Sequence, residues 1–130
     1  MLHHVEIYVS DIARTRRFWV PLLAHASYSE AGFWDDGFTL ETTQKPYLTF
    51  VQVEERHAKR PYHRCATGLN HLAFTLPDRA SVDALRQYCK EQNITCLYDD
   101  RYPFANGGTD YYALFIEDPD RIKFEFVAQD

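Results

Sequence analysis

With 130 residues, 45% hydrophobic and 15% aromatic, the chain has the size of one compact domain, or of two half-domains sharing a core, and the composition of a sheet-rich globular fold. Its net charge of −5, with no basic stripe, excludes a nucleic-acid groove, and no run approaches the roughly 18 apolar residues that a membrane span requires. Cys65, Cys89 and Cys96 show no C-x-x-C spacing, and the N-terminal stretch has no signal-like apolar run, so reduced thiols in a cytoplasmic protein are expected.

A first strand is predicted at about 3–9, with Val5, Ile7 and Val9 on one face and His4, Glu6 and Tyr8 on the other. Ser10-Asp11 can cap a helix whose apolar positions are Ile12, Phe18, Trp19 and Leu22, and Pro21 is expected to end or kink it. Strands near 27–34 and 37–43 follow, divided by the hairpin signal Asp35-Asp36-Gly37, and residues 46–53 make a fourth. The polar segment 54–67, with Pro61, reads as a connection. A strand at 69–76 then places Leu72, Phe74 and Leu76 on one face and His71, Ala73 and Thr75 on the other. The next helix, at about 79–92, carries Val82, Leu85, Tyr88 and Cys89 at helical spacing, with Asn93 as a left-handed cap. Strands are expected near 94–99, 110–117 and 121–128. Asn106-Gly107-Gly108 marks a loop and Asp118-Pro119-Asp120 a turn. In the last strand Ile122, Phe124 and Phe126 share one face, and Lys123, Glu125 and Val127 the other.

The order strand, helix, three strands thus occurs twice, and the two openings repeat residue by residue. Leu2, His4 and Asp11 fall on Leu69, His71 and Asp78 without a gap. The expected fold is α+β: one domain over 1–130, with module one at 1–56, a connection at 57–67 and module two at 68–130. Two β-α-β-β-β modules form a curved mixed sheet, with the apolar face of each first strand on its helix and the polar face lining a central cavity.

Three cavity-facing residues have ligand chemistry: His4, His71 and Glu125. Imidazole nitrogen and carboxylate oxygen suit a divalent ion of the Zn, Ni, Mn, Co or Fe kind, and three protein ligands leave positions open, as a catalytic site requires. A charged Glu125 on an inward face is costly unless a cation meets it. Its repeat equivalent is Thr49, so module one lacks a second acid. Glu6 and Tyr8 extend the face of His4 as pocket-lining candidates. Tyr111, Tyr112 and the loop Arg101-Tyr102-Pro103-Phe104 are candidates for substrate contacts, with Arg101 suited to a carboxylate or phosphate.

The stretches His4-Val-Glu-Ile-Tyr-Val-Ser-Asp11, Gly68-Leu-Asn-His71-Leu-Ala-Phe74 and Glu117-Asp-Pro-Asp-Arg-Ile-Lys-Phe-Glu125 make the chain resemble the vicinal-oxygen-chelate superfamily over its whole length. That superfamily includes glyoxalase I, extradiol dioxygenases, fosfomycin-modifying enzymes and bleomycin-resistance proteins. The resemblance implies paired modules around one divalent metal, with His4, His71 and Glu125 as ligands, Glu125 also catalytic, and a homodimer. Two departures matter. Arg121 stands at the usual turn glycine, and Thr49 stands where four-ligand members carry a glutamate. The leading expectation is a metal-dependent glyoxalase-like lyase or isomerase acting on a small oxygen-chelating substrate, with Thr49 among the residues at the pocket. The alternatives are a ferrous ring-cleaving dioxygenase, a thiol transferase that opens an epoxide, and a drug-binding protein of the bleomycin-resistance kind. Neither a nucleic acid nor a membrane is expected as a partner.

Overall fold

A computed structural model describes residues 1–130, which form two compact units, Met1–Pro61 and Tyr62–Asp130. In the first unit β1 (His4–Val9) leads to α1 (Ile12–Leu23), β2 (Ser29–Trp34), β3 (Gly37–Glu41) and β4 (Tyr47–Gln52). In the second, β5 (Leu72–Leu76) leads to α2 (Arg79–Glu91), β6 (Cys96–Leu97), β7 (Ala113–Glu117) and β8 (Lys123–Ala128). Each unit holds one four-stranded mixed sheet, ordered β1-β4-β3-β2 and β5-β8-β7-β6. The first strand of each lies parallel to the last, and the remaining ladders are antiparallel. A parallel neighbour cannot follow a tight turn, so each helix belongs to the crossover that makes the pairing possible. This is the expected α+β class, with one sheet per module.

Both helices start where an aspartate caps them. Asp11 accepts from the Arg14 backbone N–H at 3.1 Å, and Asp78 accepts from both the N–H and the hydroxyl of Ser81 at 2.7 Å. Helix α1 turns Thr15, Trp19, Leu22 and Leu23 inward. Trp19 stacks on Phe50 at 5.6 Å between centroids, and Phe50 on Phe38 at 5.0 Å. Helix α2 buries Val82, Leu85 and Cys89 in a unit whose core includes Leu76, Leu114, Ile116, Phe124 and Phe126. Gly37 is required at the head of β3: a Cβ there would stand 2.6 Å from the Trp34 ring and 2.7 Å from the Phe50 carbonyl oxygen.

Four boundaries differ from expectation. Pro21 does not end α1, which runs on to Leu23 before a tighter turn at Ala24–Ala26. Burial of Leu22 and Leu23 holds those residues helical although proline removes a backbone donor. Strand β5 begins at Leu72, so His71 precedes the ladder. The strand expected at 94–99 shrinks to Cys96–Leu97, because Tyr98 enters the left-handed region (φ 55°) and leaves the extended path. Tyr111 and Tyr112 precede β7 and do not belong to it. All three cysteines are free thiols, and no helix is long and apolar enough to cross a membrane.

The turn into β8 keeps its shape with arginine at the glycine position. Arg121 takes φ 64°, and the Asp118 carboxylate collects the backbone N–H groups of Asp120 and Ile122 at 2.9 Å each. A side chain in that region costs on the order of 1 kcal/mol. The Arg121 guanidinium sits 3.1 Å from Glu117, but Arg64 holds the same carboxylate at 2.7 Å from a more enclosed position. Arg121→Gly is therefore expected to raise stability by about 0.5–1 kcal/mol, seen as a higher urea midpoint with unchanged slope.

Candidate functional site

The register of β1 against β4 sets the polar face of the first unit. His4 lies opposite Tyr47, Glu6 opposite Thr49 and Tyr8 opposite Val51, while Val5, Ile7 and Val9 turn the other way. The His4 ring stacks on Tyr47 (4.8 Å, 5° between planes), and its Nδ1 meets His3 Nδ1 at 2.9 Å. That contact occupies Nδ1, and Nε2 lies 3.7 Å from the Glu6 carboxylate. Glu6 and Thr49 border an open hollow together with Trp34, Thr39, Lys45 and Tyr47, and Tyr8 borders a second beside Glu6. Thr49 is 5% exposed, and its hydroxyl shares a proton with Thr39 across the ladder at 2.9 Å. Two hydroxyls thus satisfy each other where an acid would stand, and the nearest carboxylate on this face is that of Glu6, opposite Thr49 on β1. Gln52 turns to the opposite face and ties the entry of α1, accepting from the Ile12 N–H and donating to the Ser10 carbonyl.

The second unit repeats this plan with a buried acid. Glu125 sits on β8 between Ala73 of β5 and Phe115 of β7, and is 3% exposed. Its Oε2 lies 2.9 Å from His71 Nε2, and its Oε1 is buried with no hydrogen-bond partner. Asp118 is the other buried carboxylate, and it is used by its own turn. His71 Nδ1 meets Asn70 Oδ1 at 2.7 Å. A side-chain carbonyl can only accept, so Nδ1 donates to Asn70, and Nε2 is left as the nitrogen that faces Glu125. A nitrogen and a carboxylate oxygen that close are held together by a shared proton or by a metal ion between them. Nearby, a side-chain hydrogen-bonding interaction with the Glu125 carboxylate, and then burial, push the Tyr111 phenol up to about 12.

Asn70 and His3 occupy equivalent repeat positions, and each takes up Nδ1 of the following histidine. Neither emerged as a site residue from sequence, although the aligned dipeptides His3-His4 and Asn70-His71 carry the signal. No three histidine, cysteine or acidic side chains of the chain are gathered into a metal-binding cluster.

The expected loop contacts divide. Arg101 lies in a short helical turn, Asp99–Arg101, with its guanidinium 5.2 Å from the Tyr98 ring centre. Tyr102 and Tyr112 instead donate to one oxygen of Asp83 on α2, both at 2.5 Å. Phe104 packs edge-on against Tyr112. These three aromatic residues fasten the loop to the helix. Lys123 shares the face of Glu125 but bonds to the Tyr98 hydroxyl at 3.0 Å.

A profile of the Glyoxalase/Bleomycin resistance protein/Dioxygenase superfamily matches residues 3–115. The uncharacterized protein YqjT of Bacillus subtilis (strain 168) is 44% identical over 127 residues, 98% of each chain. A crystal structure from Bacillus halodurans, named only as a candidate glyoxalase, is 47% identical, with a TM-score of 0.93 over 98% of this chain and 95% of that one. Lactoylglutathione lyase from Agrobacterium tumefaciens shares the fold (TM-score 0.68, covering 99% and 93%) at 18% identity. The repeated modules, the two histidines at matched positions and the match across both units lead to one conclusion: the chain belongs to the glyoxalase/bleomycin resistance protein/dioxygenase superfamily.

Proposed function

We propose that His4, His71 and Glu125 hold one divalent metal ion, and that the chain is a metal-dependent enzyme of the lyase or isomerase type acting on a small oxygen-chelating molecule. The observation that carries this reading is the buried Oε1 of Glu125, which has no hydrogen-bond partner, beside an imidazole whose Nε2 lies 2.9 Å from the other oxygen of the same carboxylate. An orphaned buried carboxylate oxygen costs about 1–3 kcal/mol, and a cation removes that cost. The donor set of two imidazoles and one carboxylate fits zinc, nickel, manganese, cobalt or iron. Once bound, such an ion polarises a substrate oxygen and stabilises negative charge that develops on it.

The chain's own groups have separate tasks. Glu125 Oε1 is the position able to take up and return a proton. Tyr111 keeps its proton at neutral pH while it faces Glu125, and on this reading it turns that donor to a substrate oxygen once a cation occupies the carboxylate. Thr49 and Thr39 offer hydroxyls at the position where two-carboxylate members carry their second acid, so Glu125 leads the proton chemistry on this reading. Glu6 and Tyr8 extend the surface available to the substrate. A homodimer belongs to the same reading.

The missing second acid also favours a further possibility. Two histidines and one carboxylate form the facial triad of non-haem ferrous oxygenases. Oxygen uptake with a catechol by iron-loaded protein identifies that chemistry, whereas thiol-dependent turnover of a 2-oxoaldehyde identifies the glyoxalase type.

Asn70 orients His71 from behind, so Asn70→Ala is expected to weaken metal binding by roughly 10–100-fold while leaving the fold intact. Competition with a metal-sensing dye checks this. Unchanged affinity would remove Asn70 from the site.

A further inference from the structure

We propose that Lys123 and Arg101, both placed against Tyr98, form an anion-binding subsite next to His71 and Glu125, and that the substrate carries a carboxylate or phosphate as well as its chelating oxygens. The inference rests on the metal-site reading above and deepens it.

Lys123 and Glu125 are two residues apart on one strand face, so their Cα atoms lie about 7 Å from each other. Phe115 bridges the two regions. His71 meets one side of its ring at 6.1 Å between centroids, and the Lys123 ammonium stands 5.2 Å from its centre. The ammonium also stands 4.9 Å from the Tyr98 ring centre and donates to its hydroxyl. Arg101 lies over that same tyrosine and otherwise bonds only a loop carbonyl, Ala105, at 3.3 Å. Neither cation meets a carboxylate. Elsewhere in the unit Arg64 and Arg121 share Glu117, and Arg86 and Lys90 share Asp99. Glu117 does face Lys123 across the ladder, but its carboxylate is already engaged by two arginines.

Two further observations point the same way. Tyr98 holds φ 55°, a conformation costly for an aromatic side chain, and its contacts with Lys123, Arg101 and Phe115 keep it there. In a chain of net charge −5, two cations without a carboxylate partner thus lie against one tyrosine. A ligand with its chelating end at Glu125, a flat or apolar middle on Phe115 and an oxyanion at Lys123 fits this order. The anion would receive charge-assisted hydrogen bonds from the ammonium and the guanidinium.

The test uses full-length protein stripped of metal by a chelator and titrated calorimetrically with malonate and, separately, inorganic phosphate at low ionic strength. Millimolar or tighter binding is expected, weakened about ten-fold or more by Lys123→Gln, several-fold by Arg101→Gln and within about three-fold of wild type in Lys123→Arg. Arg79→Gln, which removes another cation lying over aromatic rings, is expected to change nothing and controls for charge loss. Tighter malonate binding identifies a carboxylate substrate, and tighter phosphate binding a phosphorylated one. Absence of binding to wild type, or equal binding by Lys123→Gln, overturns the subsite. Metal content of the same proteins, measured as purified and before the chelator is added, keeps the two readings apart. A wild type that is purified without metal and takes up none on reloading, but whose anion binding depends on Lys123, supports the subsite and ends the metal reading, while stoichiometric metal as purified with no anion binding after stripping does the reverse.

Discussion

Glu125→Leu is expected to strip the chain of its metal and, in the same stroke, to stabilise the metal-free fold. The carboxylate is 3% exposed, with one oxygen lacking any partner, so removing it abolishes an unmet desolvation cost of about 1–3 kcal/mol. Leucine fills a similar space between Phe115 and Ala73, and His71, whose side chain is 31% exposed, can turn to water. The loss in metal affinity should exceed the roughly 10–100-fold typical of outer partners, because a ligand itself is gone. Urea denaturation in chelator should place the variant above wild type. Metal at about a hundred times its dissociation constant should reverse that order, since wild type then gains about 2.7 kcal/mol. Elemental analysis of anaerobically purified wild type, Glu125→Leu, His71→Ala and His4→Ala completes the test. Stoichiometric metal in wild type alone supports the three-ligand site, metal retained by any variant removes that residue, and none in wild type ends the reading. A variant less stable than metal-free wild type would mean that Glu125 makes a supporting contact inside the fold.

The strand faces were legible because alternation alone decides them. In β1 and β8 the alternating apolar set takes one face and His4 and Glu125 the other, and the pairs His4 with Tyr47 and Glu125 with Phe115 and Ala73 follow once the ladders form. The module order was legible from the repeat. The loop between β6 and β7 was not. Its residues are aromatic and basic, as a substrate-contacting loop would be, yet Tyr102 and Tyr112 converge on Asp83, which comes about twenty to thirty residues earlier on a helix. Nothing in local pattern encodes that partner. Lys123 shows the same limit. Its position at i−2 from Glu125 suggests an ion pair, but the left-handed Tyr98 delivers a hydroxyl and a ring to the ammonium instead. Pro21 misleads for the opposite reason: the local rule predicts a break, and burial of the next two leucines outweighs it.

Trp19→Ala is expected to cost about 3–5 kcal/mol, a large share of the roughly 5–15 kcal/mol that holds a domain of this kind together. The indole is fully buried, stacked at 19° on Phe50, which in turn stacks on Phe38. Deleting it opens a cavity beneath the middle of the sheet, where Phe50 pairs with Ile7 on one side and Phe38 on the other. The consequence reaches the site through the backbone. Thr49 and Val51 flank Phe50 on β4, and the β1–β4 register sets where His4 and Glu6 stand. A looser Phe50 therefore blurs the placement of His4 without touching His71 or Glu125. Denaturant titration reads the first effect and metal affinity the second. A loss below about 1 kcal/mol would mean that α1 does not depend on this stack for its seat on the sheet. A large loss with metal affinity unchanged would mean that the first unit contributes no ligand.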